Sequence, residues 1–158
     1  MSKRVGQIHL GMGGKWETMH GSIIGIIDEK DGRENVRAWL RKNEAGETIF
    51  VALYSKHTYK KDIYMNIALP LPYSNMTGIL KLCNDDNALI ITSKLRENGR
   101  GDEGIYLYTR FFTIRLPLAE TFIIKESADQ MLTAYHRMWI FGVKFLEIDY
   151  EIKKIEEK

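Results

Sequence analysis

The sequence predicts an all-β protein, an antiparallel meander of about ten strands closing into a barrel. Three observations carry that expectation. Apolar and polar residues alternate with period two in several places. Turn-forming residues separate the alternating runs. The runs themselves are rich in β-branched and aromatic residues.

The last run is the clearest. Leu146, Ile148, Tyr150 and Ile152 interleave with Glu147, Asp149 and Glu151. Successive side chains of a strand point to opposite faces, so this run has a dry face and a wet one. Val36, Ala38 and Leu40 alternate with Arg37, Trp39 and Arg41, and Ile63, Met65, Ile67 and Leu69 repeat the pattern. Asp31-Gly32 and Ala45-Gly46 suit tight hairpins, and Phe141-Gly142 is a further break. Asn84 to Asn87 is a polar break, and Asn98 to Asp102 reads as a longer loop. Pro70, Pro72 and Pro117 stand at the ends of strand-like runs, where a missing N–H does least harm. Two stretches, around 67–92 and 114–134, each read as strand, proline-marked turn, strand, turn, strand. That weak repeat suggests a meander in which each strand pairs with the next.

One segment carries two signals. Ser127 and Gln130 have capping-box spacing, and Met131, Leu132, Tyr135, Met138 and Trp139 share a helical face, so a single helix at about 128–140 is one reading. As a strand, the segment places Leu132, Ala134, His136, Met138 and Ile140 on one face, and the repeat favours the strand. Packing of two sheets into a β sandwich is the alternative to the barrel. In either case 1–158 is one domain, with 1–13 a lead-in and 153–158 a charged tail.

The 158 residues are 44% hydrophobic and 28% charged, with a net charge of +2, which is ordinary globular composition. Cations and anions alternate along the chain, so no basic stripe points to nucleic acid. No apolar run approaches the ~20 residues of a membrane helix, and no apolar core follows the basic start. The single cysteine, Cys83, has no disulfide partner within the chain and lies in an apolar stretch, as a structural thiol does. The expectation is a cytoplasmic protein without membrane or nucleic-acid partners.

Catalytic and metal motifs are absent. His9, His20, His57 and His136 lack metal-ligand spacing. Glu147, Asp149 and Glu151 form a solvent face. Gly11 to Gly14 precede a strand, whereas a phosphate cradle opens a helix. No catalytic residue, metal or cofactor is assigned, and an enzyme is not the expectation. Aromatic residues spread over several strands are the remaining signal: Trp16, Tyr64, Tyr106, Tyr108, Trp139 and Tyr150. Inside a barrel such residues fill the core or line a cavity. Arg110, beside Tyr108, would pair there with a ligand carboxylate, and His136 would serve as an acid or base.

Gly14-Lys15-Trp16, at the opening of the first strand, resembles the Gly-x-Trp signature of lipocalins, members of the calycin group of β barrels. The resemblance implies an up-and-down barrel that holds a small apolar ligand, with Trp16 closing one end. The expected function is therefore a calycin-like barrel binding a small apolar or amphipathic ligand. Its expected lining is Trp16, Tyr64, Tyr106, Tyr108, Arg110, His136 and Trp139. The alternative is a non-catalytic structural or protein-interaction domain with a filled core, in which a homodimer would form through a strand edge.

Overall fold

The computed structural model describes residues 17–95, 101–127 and 131–154. Strands make up 70% of the structure and helix 3%, so the all-β expectation holds. The chain order is β1 (His20–Gly25), α1 (Asp28–Asp31), β2 (Arg37–Lys42), β3 (Thr48–Tyr59), β4 (Asp62–Leu71), β5 (Ser74–Asp85) and β6 (Ala88–Thr92). There follow β7 (Gly104–Thr109), β8 (Thr113–Leu116), β9 (Leu118–Glu126), β10 (Met131–Ile140) and β11 (Val143–Lys153). The eleven strands join one antiparallel sheet, curled into a half-barrel.

The sheet is not the simple meander that the proline-marked repeat suggests. Pairing runs β1-β2-β3-β4-β5-β6-β9-β10-β11, while β7 pairs with β5 and β8. β5 is long enough for two partners. Its first half pairs with β7, from Ser74–Thr109 to Ile79–Gly104. Its second half pairs with β6, from Lys81–Thr92 to Asp85–Ala88. β8 and β9 then run end to end across Pro117 in one direction, β8 against β7 and β9 against β6. Pro117 interrupts a strand here without reversing it, because the lost N–H breaks the ladder but nothing forces a turn. No pairing joins β1 to β11 among the described residues, so the described strands form one open, curled sheet.

Each turn has a local cause. Gly46, at φ +79°, serves the β2–β3 hairpin, and Gly142, at φ +80°, serves the β10–β11 hairpin. Asp31-Gly32 differs from expectation: Gly32, at φ +81°, ends the single turn α1, within a longer β1–β2 connection. There the Asp28 carboxylate accepts a hydrogen bond from the Asn35 backbone N–H at 3.0 Å. Segment 131–140 is strand β10, because both of its edges find partners, β9 and β11.

The core lies on the concave face. Ala52, Ile67, Leu80 and Ile91 are buried together, under Phe50, Met65, Leu82 and Phe122. Leu146, Ile148, Tyr150 and Ile152 lie on the less exposed face of β11, as their alternation predicts. Because every pairing is antiparallel, the β2–β3, β4–β5, β7–β8 and β10–β11 turns share one end of the sheet, and the β1–β2, β3–β4, β5–β6 and β9–β10 connections the other.

Candidate functional site on the concave face

The concave face carries a carboxyl–imidazole pair in apolar surroundings. His136 on β10 pairs with Phe122 on β9, and Glu120 lies two residues before Phe122 on the same face. Such diagonal neighbours are within side-chain reach. His136 Nε2 and Glu120 Oε2 are 3.0 Å apart, with side chains only 12% and 11% exposed. The Phe122 ring stacks on the imidazole at 3.9 Å and 15°.

The strand holding Glu120 is pinned. Its backbone N–H donates to Ser93 Oγ at 2.8 Å, and its carbonyl accepts from the Ser93 N–H at 2.9 Å. Across the face, Gly78 leaves room for the carboxylate: a Cβ there would stand 2.6 Å from Glu120 Oε1.

Arg41 approaches from the other flank of the curl. Its guanidinium lies 4.1 Å from the Trp39 ring centroid, 4.9 Å from Phe50 and 5.4 Å from Tyr150. Its Nε is buried, without a hydrogen-bond partner among the described residues. Three aromatic faces around one cation give quadrupole attraction in place of lost hydration. The contact with Tyr150 also joins β2 to β11 across the mouth of the half-barrel. Burial pushes the Tyr54 phenol up to about 12, against the opposing pull of Arg41. Between these groups lies a cavity of about 160 Å³, whose wall includes Arg41, Tyr54, Glu120, His136 and Tyr150 among aliphatic side chains. Chemically, the arrangement is a hydrogen-bonded carboxyl–imidazole pair set among apolar side chains.

The residues expected to line one cavity are dispersed. His136 is on the concave face. Tyr64 is fully buried on the other face of β4. There it stacks on His57 at 5.0 Å and donates to Glu103 Oε2 at 3.4 Å. Tyr106 donates to the Asp102 carbonyl. Tyr108 and Arg110 run outward to the exposed β7–β8 turn. Trp139 faces away from His136 and carries the Lys94 ammonium 3.2 Å above its ring. His9, the 1–13 lead-in, Gly14-Lys15-Trp16, Asn98 to Arg100, Ala128 to Gln130 and the end of the charged tail lie outside the described residues.

Glu120, Arg41 and Tyr54 were not singled out from sequence. A signal existed for Glu120, an acid within the apolar series Leu118, Phe122, Ile124. For Arg41 the parity misled, because Trp39 and Arg41 belong to the concave face that carries Ala52.

The fold and site thus define an antiparallel half-barrel domain with a buried Glu–His pair. No family model and no solved structure matches the chain. Over 156 residues, 99% of its length, it is 53% identical to "Uncharacterized membrane protein YndJ" of Bacillus subtilis (strain 168), and it spans 29% of that relative's length. The match corrects the expectation of a cytoplasmic, ligand-carrying barrel without a membrane partner. The apolar content of these residues reports on them alone, and the relative is much longer than they are. Nothing in the match supports a small ligand or a homodimer.

Proposed function

We propose that this chain is an extramembrane β domain, a scaffold working in water beside membrane-embedded polypeptide. The observation that carries this is the near-complete match to part of a protein whose name places it in a membrane. Two physical points support the aqueous side of the reading. No helix among the described residues is long and apolar enough to cross a bilayer. The faces of β10 and β11 turned away from the cavity carry Arg137, Glu147, Asp149 and Glu151, with Arg137 bonded to Glu147 at 3.1 Å. A strand in lipid presents an apolar outer face, and a cation at the bilayer midplane costs about 2–4 kcal/mol.

The test is fractionation of the native gene product with an epitope inside this region, followed by protease treatment of sealed vesicles of each orientation. The expected result is recovery in the membrane pellet, with the epitope cut from one side only. Recovery in the soluble fraction refutes the membrane placement. Protection from both sides refutes the aqueous one.

A further inference from the structure

We propose that the end of the sheet bearing the β4–β5 and β7–β8 turns docks on an anionic lipid surface, with Tyr73, Phe111 and Phe112 in the headgroup layer. The inference rests on the membrane reading above and says which surface meets the bilayer. Tyr73 and Phe111 are 100% and 87% exposed at these turns, and Phe112 stands beside them at 57%; Phe141, 79% exposed, lies farther back, its N–H bonded to the Pro117 carbonyl. Pairing of Ser74 with Thr109 sets the Tyr73 and Phe111 turns next to each other.

The turns do not need these rings. The Thr109 Oγ1 accepts from the Phe111 and Phe112 N–H groups, and the Thr109 N–H donates to the Phe112 carbonyl at 2.9 Å. The β7–β8 turn is therefore built by its backbone and a threonine. Tyr73, at φ +60°, and Phe141, at φ +49°, hold left-handed backbone that asparagine or glycine adopts at lower cost. A bulky ring in that conformation, without packing, is a burden on the fold. Such strain is retained where it serves a function.

Charge selects the partner. The segments 71–74, 109–116 and 140–145 contain Arg110, Arg115 and Lys144 and no acid. Lys144 also pairs with Glu147, and Arg115 donates to the Glu103 carbonyl, which leaves Arg110 at the tip as the main contribution. The fourth turn at this end, β2–β3, holds Glu44 and Glu47 with no aromatic, and lies toward the far flank of the sheet. The opposite end carries more acid than base: Asp28, Glu29, Asp31, Asp62, Asp85 and Asp86 share its turns with Lys30, Arg33, Lys60 and Lys61, and Asp31 and Asp62 are paired with Arg33 and Lys81. A cation among exposed aromatic rings at one end, with acids outnumbering bases at the other, orients a domain on a negative bilayer.

The test is co-sedimentation of the purified 158-residue chain with phosphatidylglycerol–phosphatidylcholine vesicles and with phosphatidylcholine vesicles alone. Binding to the anionic vesicles is expected. Phe111→Ser/Phe112→Ser should lower it by about tenfold or more, since each ring loses its burial in the headgroup layer. Arg110→Gln should lower it by about fivefold on anionic vesicles only. Ile27→Ser/Ile63→Ser removes exposed apolar groups elsewhere, away from these tips, and should leave it unchanged; circular dichroism verifies that each variant is folded. Three outcomes overturn the proposal. The wild-type chain does not bind vesicles; the phenylalanine variant binds as well as wild type; or the chain is a dimer that the phenylalanine variant splits, so that a second copy covers the patch. Failure here with the native product still in the membrane pellet sinks this docking surface and leaves the extramembrane reading standing. Loss of the pellet result sinks both.

Discussion

Removing one member of the Glu120–His136 pair exposes how the concave face is held together. The two side chains are about one-tenth exposed and 3.0 Å apart, so water neither screens the contact nor replaces it. A hydrogen bond to a charged group is worth about 1.5–3 kcal/mol, and stranding a buried partner costs more than the bond returns. Glu120→Ala is therefore expected to destabilise the domain by about 2–4 kcal/mol. His136→Ala is expected to cost at least as much, because it also strips the ring from Phe122. At this chain length the shift in Tm is roughly 5–15 °C. The assay is urea unfolding followed by tryptophan fluorescence and circular dichroism, for wild type, both single variants and the double variant. The coupling energy of that cycle is expected at about 1–3 kcal/mol. A cycle that adds to within about 0.5 kcal/mol refutes the reasoning, since the two groups would then not depend on one another. Glu120→Leu/His136→Leu, which removes both polar groups, should come within about 1 kcal/mol of wild type.

Two further predictions concern the same face. Gly78→Ala should destabilise by about 1–3 kcal/mol in the same assay, because its Cβ would meet Glu120 Oε1 at 2.6 Å and Leu80 Cδ1 at 2.9 Å, and Leu80 is fully buried. A variant as stable as wild type would show that the close approach relaxes freely. Tyr54 gives a pH signature. Its phenol rises from the ordinary 10.0 to about 12 through burial, so the unfolded chain loses this proton first. The associated stability is present below pH 10.0 and is lost as pH rises toward about 12. Tyr54→Phe should remove that part of the decline in unfolding free energy, and an unchanged decline would count against the assignment.

What the sequence made legible follows the range of each interaction. β11 was readable because its alternation is local, and every second residue from Leu146 to Ile152 turned out less exposed than its neighbours. Segment 131–140 carried a helical face as well, and tertiary pairing on both edges decided for strand. The pairing of β6 with β9 was not legible, since Thr92 and Thr121 meet only after an intervening hairpin has formed. The Glu120–His136 contact depends on the β9–β10 register, in which His136 falls opposite Phe122 and so diagonal to Glu120, and alternation along either strand alone does not fix that offset. Choosing aromatic residues by type rather than by face gathered Tyr64 and Trp139 with His136, although strand parity sends them to opposite sides. Locally, Asp31-Gly32 looks the same whether it closes a hairpin or ends a helical turn.

The end-to-end course of β8 into β9 makes the β7–β8 hairpin an insertion into an otherwise sequential sheet. Its two roots are one hydrogen bond apart, at Ser93 N–H and the Glu120 carbonyl. A chain that leaves and returns at one rung can lengthen, shorten or change its tip while the ladder beneath keeps its register. Selection can therefore rework the outward end of this hairpin independently of the strands that hold Glu120 and His136. Differences in the length of this hairpin among relatives should stop at the rung and leave the strands beneath it unaltered.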